Sequence, residues 1–107
     1  MAGDDFSIII DSNSLPILEP ALKLAGEFLY SAGGQNNRNY LDGKVEFIND
    51  NFAMEEVLFD PQTSGGLCVA VSYDEAQKII DEFKENGLDI WQIGQVKKKR
   101  SYSIIVK

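Results

Sequence analysis

The chain has 107 residues, of which 44% are hydrophobic and 25% charged, and its net charge is −7. This is the composition of one soluble globular domain, and such acidity argues against a nucleic-acid-binding protein. With no histidine and one cysteine, Cys68, the sequence excludes Ser-His-Asp catalysis, an imidazole or thiolate zinc site and an internal disulfide. We expect a cytoplasmic protein without membrane association, because the start lacks a signal peptide and no apolar run approaches roughly 20 residues.

The first half of the chain alternates strand and helix signals. The β-branched residues 6–11 predict a strand. Apolar residues recurring on one face predict a helix over 20–30, with Pro20 suited to its first turn. Gly33 and Gly34 are predicted to end that helix, so residues 33–43 are expected to form a polar loop. Residues 44–48 then predict a short strand and residues 53–58 a short helix.

The second half opens with an apolar run, "LCVAV" at 67–71, which predicts a strand central in a sheet and a buried, inert thiol at Cys68. Ser72 and Glu75 form a capping box for the next helix. Its predicted buried stripe comprises Ala76, Ile79, Ile80 and Phe83. Residues 88–96 and 101–106 predict two strands joined as a hairpin through the basic turn at 97–100. The order β-α-β-(α)-β-α-β-β predicts an α+β fold, a mixed sheet with helices packed on one face.

One segment is unusually specific for a connection, namely "FDPQTSGGL" at residues 59–67. The pair Gly65 and Gly66 lets backbone amides approach a ligand closely and form an anion-binding nest. Gln62, Thr63 and Ser64 add side-chain donors, so the set suits phosphate oxygens. The simpler interpretation is a tight turn in which Asp60 bonds its own backbone, and spacing alone favours that turn.

A second candidate loop follows the first predicted helix and contains Gly33, Gly34, Arg38 and Asn39. Arg38 can pair with a phosphate or a carboxylate through two nitrogens. The plain alternative is a helix end followed by a polar surface loop. Acidic residues are numerous, but their spacing singles out no pair, so the sequence predicts no metal site and no catalytic side chain.

The wording of residues 58–71, "LFDPQTSGGLCVAV", resembles a signature of the selenophosphate synthetases, also called selenide, water dikinases. Residues 11–25, the "AGGQNNRN" of 32–39 and the "IGQV" of 93–96 resemble the same family in the same order. The resemblance implies the fold of an aminoimidazole ribonucleotide synthetase C-terminal domain. It implies a parent enzyme that uses ATP and Mg²⁺ to make selenophosphate from selenide and water. Departures are a loop one residue longer, Gln35 in place of a threonine, and Cys68 in place of a leucine.

The family's reactive Cys-Lys or selenocysteine-Lys pair and its metal-binding aspartates have no counterpart in this sequence. We therefore expect residues 1–107 to be a single domain, the truncated C-terminal domain of a two-domain enzyme. Its expected partner is the missing N-terminal ATP-binding domain. The two loops would form one wall of a phosphate or nucleotide site, and the isolated chain would be inactive and hold no cofactor.

Two other functions stay open. One is a stand-alone phosphate- or nucleotide-binding regulatory module, and the other is the C-terminal half of a related synthetase with another substrate. In the resembled fold a preceding helix covers part of the sheet. Without it an apolar patch is exposed, so we expect a homo-oligomer.

Overall fold

The computed structural model describes residues 3–107, and a four-stranded mixed sheet forms its centre. The strands are β1 (Phe6–Ile10), β2 (Val45–Phe47), β3 (Gly94–Lys98) and β4 (Ile104–Val106). Their order across the sheet is β2-β4-β1-β3. β4 runs parallel to both of its neighbours, whereas β3 pairs antiparallel with β1. The predicted α+β class with a mixed sheet is confirmed.

Four helices accompany the sheet: α1 (Glu19–Gly26), α2 (Ala32–Tyr40), α3 (Phe52–Phe59) and α4 (Tyr73–Glu85), with a 3-10 turn at Ser12–Ser14. Helix α3 packs against both α1 and α2. It also reaches the sheet, because the ring of Phe59 lies 5.7 Å from that of Phe47 in β2. Among residues 3–107 the buried apolar side chains are Ala25, Phe59, Ile105 and Val106. No helix in this range is long and apolar enough to cross a membrane.

The predicted loop at residues 33–43 is wrong, because residues 32–40 form helix α2. The Ser31 hydroxyl oxygen accepts the Gly34 N–H at 3.0 Å and so caps the helix. Gly33 and Gly34 therefore begin a helix rather than end one. The preceding helix ends at Gly26, before the predicted end at residue 30. Two residues after Gly26, Phe28 has a left-handed φ of 62°.

The predicted strand at residues 67–71 is absent, and with it the buried environment expected for its thiol. These residues lie outside every strand, and the side chain of Cys68 is exposed. The run is apolar and contains β-branched residues, which favours a strand. A strand also needs a neighbouring strand to pair with, and this run has none within residues 3–107.

The predicted hairpin between the last two strands is also wrong. Of the strand predicted at 88–96 only residues 94–96 are in the sheet, β3 continues through Lys97 and Lys98 of the predicted turn, and β1 separates β3 from β4. Gly94 permits this arrangement, since a Cβ at that position would collide with the carbonyl oxygen of Ile9. β1 and β3 can therefore approach closely, and β1 takes the position that a hairpin would have given to β4.

Helix α4 forms where predicted, but its apolar stripe is not buried. Ala76, Ile79 and Ile80 are half-buried and Phe83 is exposed. At its start the Ser72 hydroxyl donates to the Glu75 carboxylate at 2.6 Å instead of accepting a backbone N–H. The Ser72 side chain therefore caps no backbone N–H, and the Glu75 N–H donates instead to the Ser72 carbonyl at 3.2 Å.

Candidate functional site

The two predicted loop segments lie side by side, because the start of α2 meets the residues that follow α3. The Ser31 hydroxyl, besides capping α2, donates to the Asp60 carboxylate at 2.7 Å. Gly33 makes the approach possible, since a Cβ there would lie 2.8 Å from Cγ of Pro61. Asp60 is thereby fixed by Ser31 and not by its own backbone. Sequence reasoning missed Ser31, although a serine before "AGG" is a signal for an N-cap.

Arg38 joins α2 to α3 through two carboxylates. Its guanidinium donates to Glu55 at 2.8 Å and to Glu56 at 2.6 Å. Gln35 donates to the second oxygen of Glu56 at 2.6 Å. The Glu56 residue is only 3% exposed, so this carboxylate depends on its two partners for compensation. In this structure the Arg38 guanidinium is therefore bonded within the chain, to Glu55 and Glu56.

The charge of Arg38 is secured by the same contacts. Partial burial of the guanidinium disfavours the charged form, but hydrogen bonds and attraction to Glu55 and Glu56 outweigh it and raise the pKa of Arg38 above its ordinary value. The guanidinium carbon also lies 4.8 Å from the centre of the Phe59 ring. Arg38 is therefore a fixed cation between the two helices and the aromatic core.

The end of α3 is held by an asparagine that sequence reasoning did not select. The Asn37 side-chain amide donates to the Phe59 carbonyl at 2.8 Å, one of the carbonyls that a helix leaves without an intrahelical partner. Asn39, which was selected, makes no side-chain hydrogen bond within residues 3–107. Asn37 lies three residues after Gly34, within α2. That position would have indicated its role only if α2 had been predicted.

The segment after Pro61 folds as a turn. The Thr63 N–H donates to the Pro61 carbonyl at 3.1 Å, and the Gly65 N–H donates to the Gln62 carbonyl at 2.9 Å. The Gln62 side-chain amide donates back to the Val57 carbonyl at 3.3 Å. These bonds match the tight turn that spacing alone favoured, and they commit the Gly65 amide.

The donors that remain free on this turn all face solvent. The backbone amides of Ser64 and Gly66 and the hydroxyls of Thr63 and Ser64 have no partner within residues 3–107. A Cβ at Gly66 would meet nothing within 4 Å. Of the predicted anion-binding nest, the amides of Ser64 and Gly66 remain free within residues 3–107, on either side of the Gly65 amide, which is already bonded. The hydroxyls of Thr63 and Ser64 are the other free donors.

The surroundings of the turn are acidic. Glu55 and Glu56 pair with the Arg38 guanidinium, and Asp60 lies at the end of the same helix. Among residues 3–107 no three His, Cys, Asp or Glu side chains are grouped to hold a metal ion. Two cavities of about 450 and 180 Å³ lie elsewhere, and neither includes a predicted site residue. The turn is an exposed surface of neutral donors close to the acidic residues at the end of α3.

Comparison with known proteins places this chain in a family. The family model described as "AIR synthase related protein, C-terminal domain" matches residues 1–107. A selenide, water dikinase from Agathobacter rectalis is 47% identical over 107 residues, covering 99% of this chain and 31% of the relative. One from Desulfitobacterium hafniense strain DCB-2 is 36% identical over 106 residues, with 99% and 31% covered. One from Caldanaerobacter subterraneus is 35% identical over 102 residues, with 94% and 30% covered. The chain thus spans about a third of the length of these curated relatives.

Proposed function

The chain belongs to the AIR synthase related protein family, matching its C-terminal domain, and on that premise we propose that it is the C-terminal domain of a selenophosphate synthetase. The identity to selenide, water dikinases along the whole chain carries the proposal. The parent would be a cytoplasmic phosphotransferase that makes selenophosphate from ATP, selenide and water. The 107 residues alone would be inactive, because residues 3–107 group no three side chains to hold a metal ion and the chain covers only about a third of the curated relatives.

The turn at residues 62–66 would contribute one wall of the phosphate site. Phosphoryl transfer requires positioning and charge stabilisation more than covalent chemistry, and backbone donors fixed in space provide both. The amides of Ser64 and Gly66 and the hydroxyl of Thr63 would donate to phosphate oxygens. Gly65 would shape the turn through its bond to Gln62.

Residues behind the turn would act by positioning it. Ser31 holds Asp60, and Gly33 lets Pro61 rest against α2. Arg38 would be a positioning residue rather than a phosphate ligand, because its guanidinium is shared by Glu55 and Glu56. Gly34 and Asn39 complete the predicted second segment. Gly34 lies at the capped start of α2, and the free side chain of Asn39 is available to a ligand.

The acidity of the wall indicates what the rest of the parent must supply. Phosphates approaching a wall whose guanidinium is already paired with Glu55 and Glu56 need extra cations. A Mg²⁺ ion here would take its ligands from the nucleotide phosphates and from the remaining two thirds of the parent, since this chain groups no three suitable side chains within residues 3–107. This dependence is the physical basis for the proposed inactivity of the isolated chain.

A chimera tests the proposal directly. The N-terminal two thirds of the Agathobacter rectalis selenide, water dikinase would be fused to this chain, and selenophosphate would be followed by ³¹P NMR with ATP and selenide. We expect turnover near that of the native relative, and no turnover from the 107 residues alone. A folded chimera without selenophosphate formation, beside an active native control, would refute the proposal. Binding of ADP or phosphate by the isolated chain with an inactive chimera would favour the regulatory-module alternative.

A further inference from the structure

A cavity of about 180 Å³ opens where the three parallel strands of the sheet end. The last residues of β1, β4 and β2 are Ile10, Val106 and Phe47, and they are direct neighbours in the register. In open sheets of this kind, ligands bind in the crevice outside the carboxyl ends of the strands. Phe47 and Val106 line the cavity from the strands, and Met54 lines it from α3. Its volume is that of about six water molecules, which is room for a small organic molecule.

Main-chain hydrogen bonds fix the walls of this cavity. The Lys107 N–H donates to the Ile10 carbonyl at 2.9 Å, and the Ile48 N–H donates to the Val106 carbonyl at 2.8 Å. The N–H and the hydroxyl of Ser12 both donate to the main-chain oxygen of Lys107, each at 2.8 Å. The cavity is therefore formed by the fold itself, which lowers the entropy that a ligand would lose on binding.

The polar part of the lining consists of hydrogen-bond donors and one cation. Its residues are Ser12, Asn13, Asn49, Asn51 and Lys107. The Asn51 side-chain oxygen accepts the Met54 N–H at 3.1 Å as the cap of α3, so the NH₂ group of this amide remains as a donor. Within residues 3–107 that NH₂ group, the side-chain amides of Asn13 and Asn49 and the Lys107 ammonium have no partner.

Negative charge is kept out of the cavity itself. The two carboxylates nearest in sequence are those of Asp11 and Asp50, and neither lines the cavity. The Asp11 carboxylate accepts instead from the Asn13 N–H at 3.1 Å and from the Ser14 hydroxyl at 3.2 Å. The start of α3, which carries a partial positive charge, lies at the cavity together with the Lys107 ammonium. The local field therefore favours an anion in a chain whose net charge is −7.

We propose that this cavity binds a small organic anion, with a phosphate or carboxylate group on a short apolar body. Lys107 and the asparagine amides would donate to the oxyanion, and the apolar body would lie against Phe47 and Met54. The site does not rest on the proposed function. It lies at the start of α3 and the turn at residues 62–66 follows its end, so about 12 Å of helix separates the two.

Titrations of the 107-residue chain followed by ¹⁵N NMR test the site. With phenyl phosphate we expect the side-chain NH₂ signals of Asn13, Asn49 and Asn51 to shift along one saturation curve, with a dissociation constant of roughly 1–10 mM. Benzoate is titrated in parallel, and the tighter of the two identifies the oxyanion. Benzylamine has the same apolar body and the opposite charge, so it should leave these signals unchanged.

Two substitutions and a control locate the interaction. Asn51→Asp keeps the α3 cap but replaces a donor by a carboxylate, so it should weaken binding about 10-fold or more without lowering the urea midpoint. Lys107→Gln should weaken binding about 5-fold. Lys97→Gln removes the same charge from β3 and should bind like the wild type.

Three results would overturn the proposal. They are the absence of a saturable shift at the three asparagines, shifts confined to the amides of Ser64 and Gly66, and wild-type affinity in both Asn51→Asp and Lys107→Gln. The second result would leave the proposed phosphate wall intact and remove only this cavity as a site, so the failure of one proposal is distinguishable from the failure of the other.

Discussion

Replacing Arg38 by alanine should destabilise the fold more than the loss of an ordinary surface ion pair. The substitution removes both contacts to the glutamates and leaves Glu56, whose side chain is 2% exposed, with Gln35 as its one remaining side-chain partner. Leaving a buried charge without its counter-ion costs about 3–5 kcal/mol. The Arg38 side chain is 31% exposed, so water can partly replace it, and we expect about 2–3 kcal/mol.

Urea unfolding followed by circular dichroism measures this loss. With an unchanged slope, the lower midpoint gives the change in the free energy of unfolding, and the melting temperature should fall by roughly 10–20 °C. Arg38→Lys keeps the charge but cannot span both carboxylates, and should lose about half as much. Glu55→Gln is the control for the more exposed contact, at 18% exposure, and should cost less than about 1 kcal/mol.

The pH dependence follows from the raised pKa of Arg38. A cation whose folded pKa lies above its unfolded value stabilises fully below the unfolded value, and the stabilisation is lost only as pH rises through the folded pKa. The difference between wild type and Arg38→Ala should therefore be flat from about pH 6 to about pH 9. A difference below about 0.5 kcal/mol throughout would refute the buried-pair reasoning.

Three further substitutions are read by the same urea assay. Gly94→Ala should cost about 3 kcal/mol or more, since the new methyl group collides with the β1 backbone and separates β1 from β3; a folded variant of wild-type stability would contradict the register. Gly33→Ala should cost about 1 kcal/mol net, because overpacking outweighs the gain in helix propensity, whereas Gly66→Ala should stay within about 0.5 kcal/mol as its paired control. Ser31→Ala should cost about 1–2 kcal/mol through loss of the α2 cap, and unaltered stability would show that the cap is replaceable.

Local signals predicted most of the individual elements. The β-branched run of β1, the short helix α3 and the amphipathic α4 all form close to their predicted positions, because each carries its own periodicity or capping residue. α2 was missed because two consecutive glycines indicate a helix end when only local propensity is read. The cap from Ser31, three residues before Gly34, and the packing of Gly33 against Pro61 reverse that preference, and only the second depends on a residue distant in sequence.

The sequence motif of the candidate site could be predicted, but its geometry could not. The "DPQTSGG" segment stands out in the sequence, and the resemblance it carries agrees with the family match. Nothing local indicated that Asp60 would bond Ser31, or that Arg38 would choose Glu55 and Glu56 from 17 acidic residues. The prediction of strand pairing was wrong for the same reason, since the spacing of the strands does not reveal that β1 lies between β3 and β4.

The position of β4 has a kinetic consequence. This strand comes last along the chain yet lies inside the sheet, between β2 and β1. The contacts that hold it are distant in sequence, as in the bond from the Ser7 hydroxyl to the Tyr102 carbonyl, which joins residues 95 positions apart. High contact order slows folding, because the loop entropy is lost before the pairing is gained. The helices can therefore form early, while the sheet waits for residues 104–106, and until then the edges of β1 and β2 remain open to aggregation.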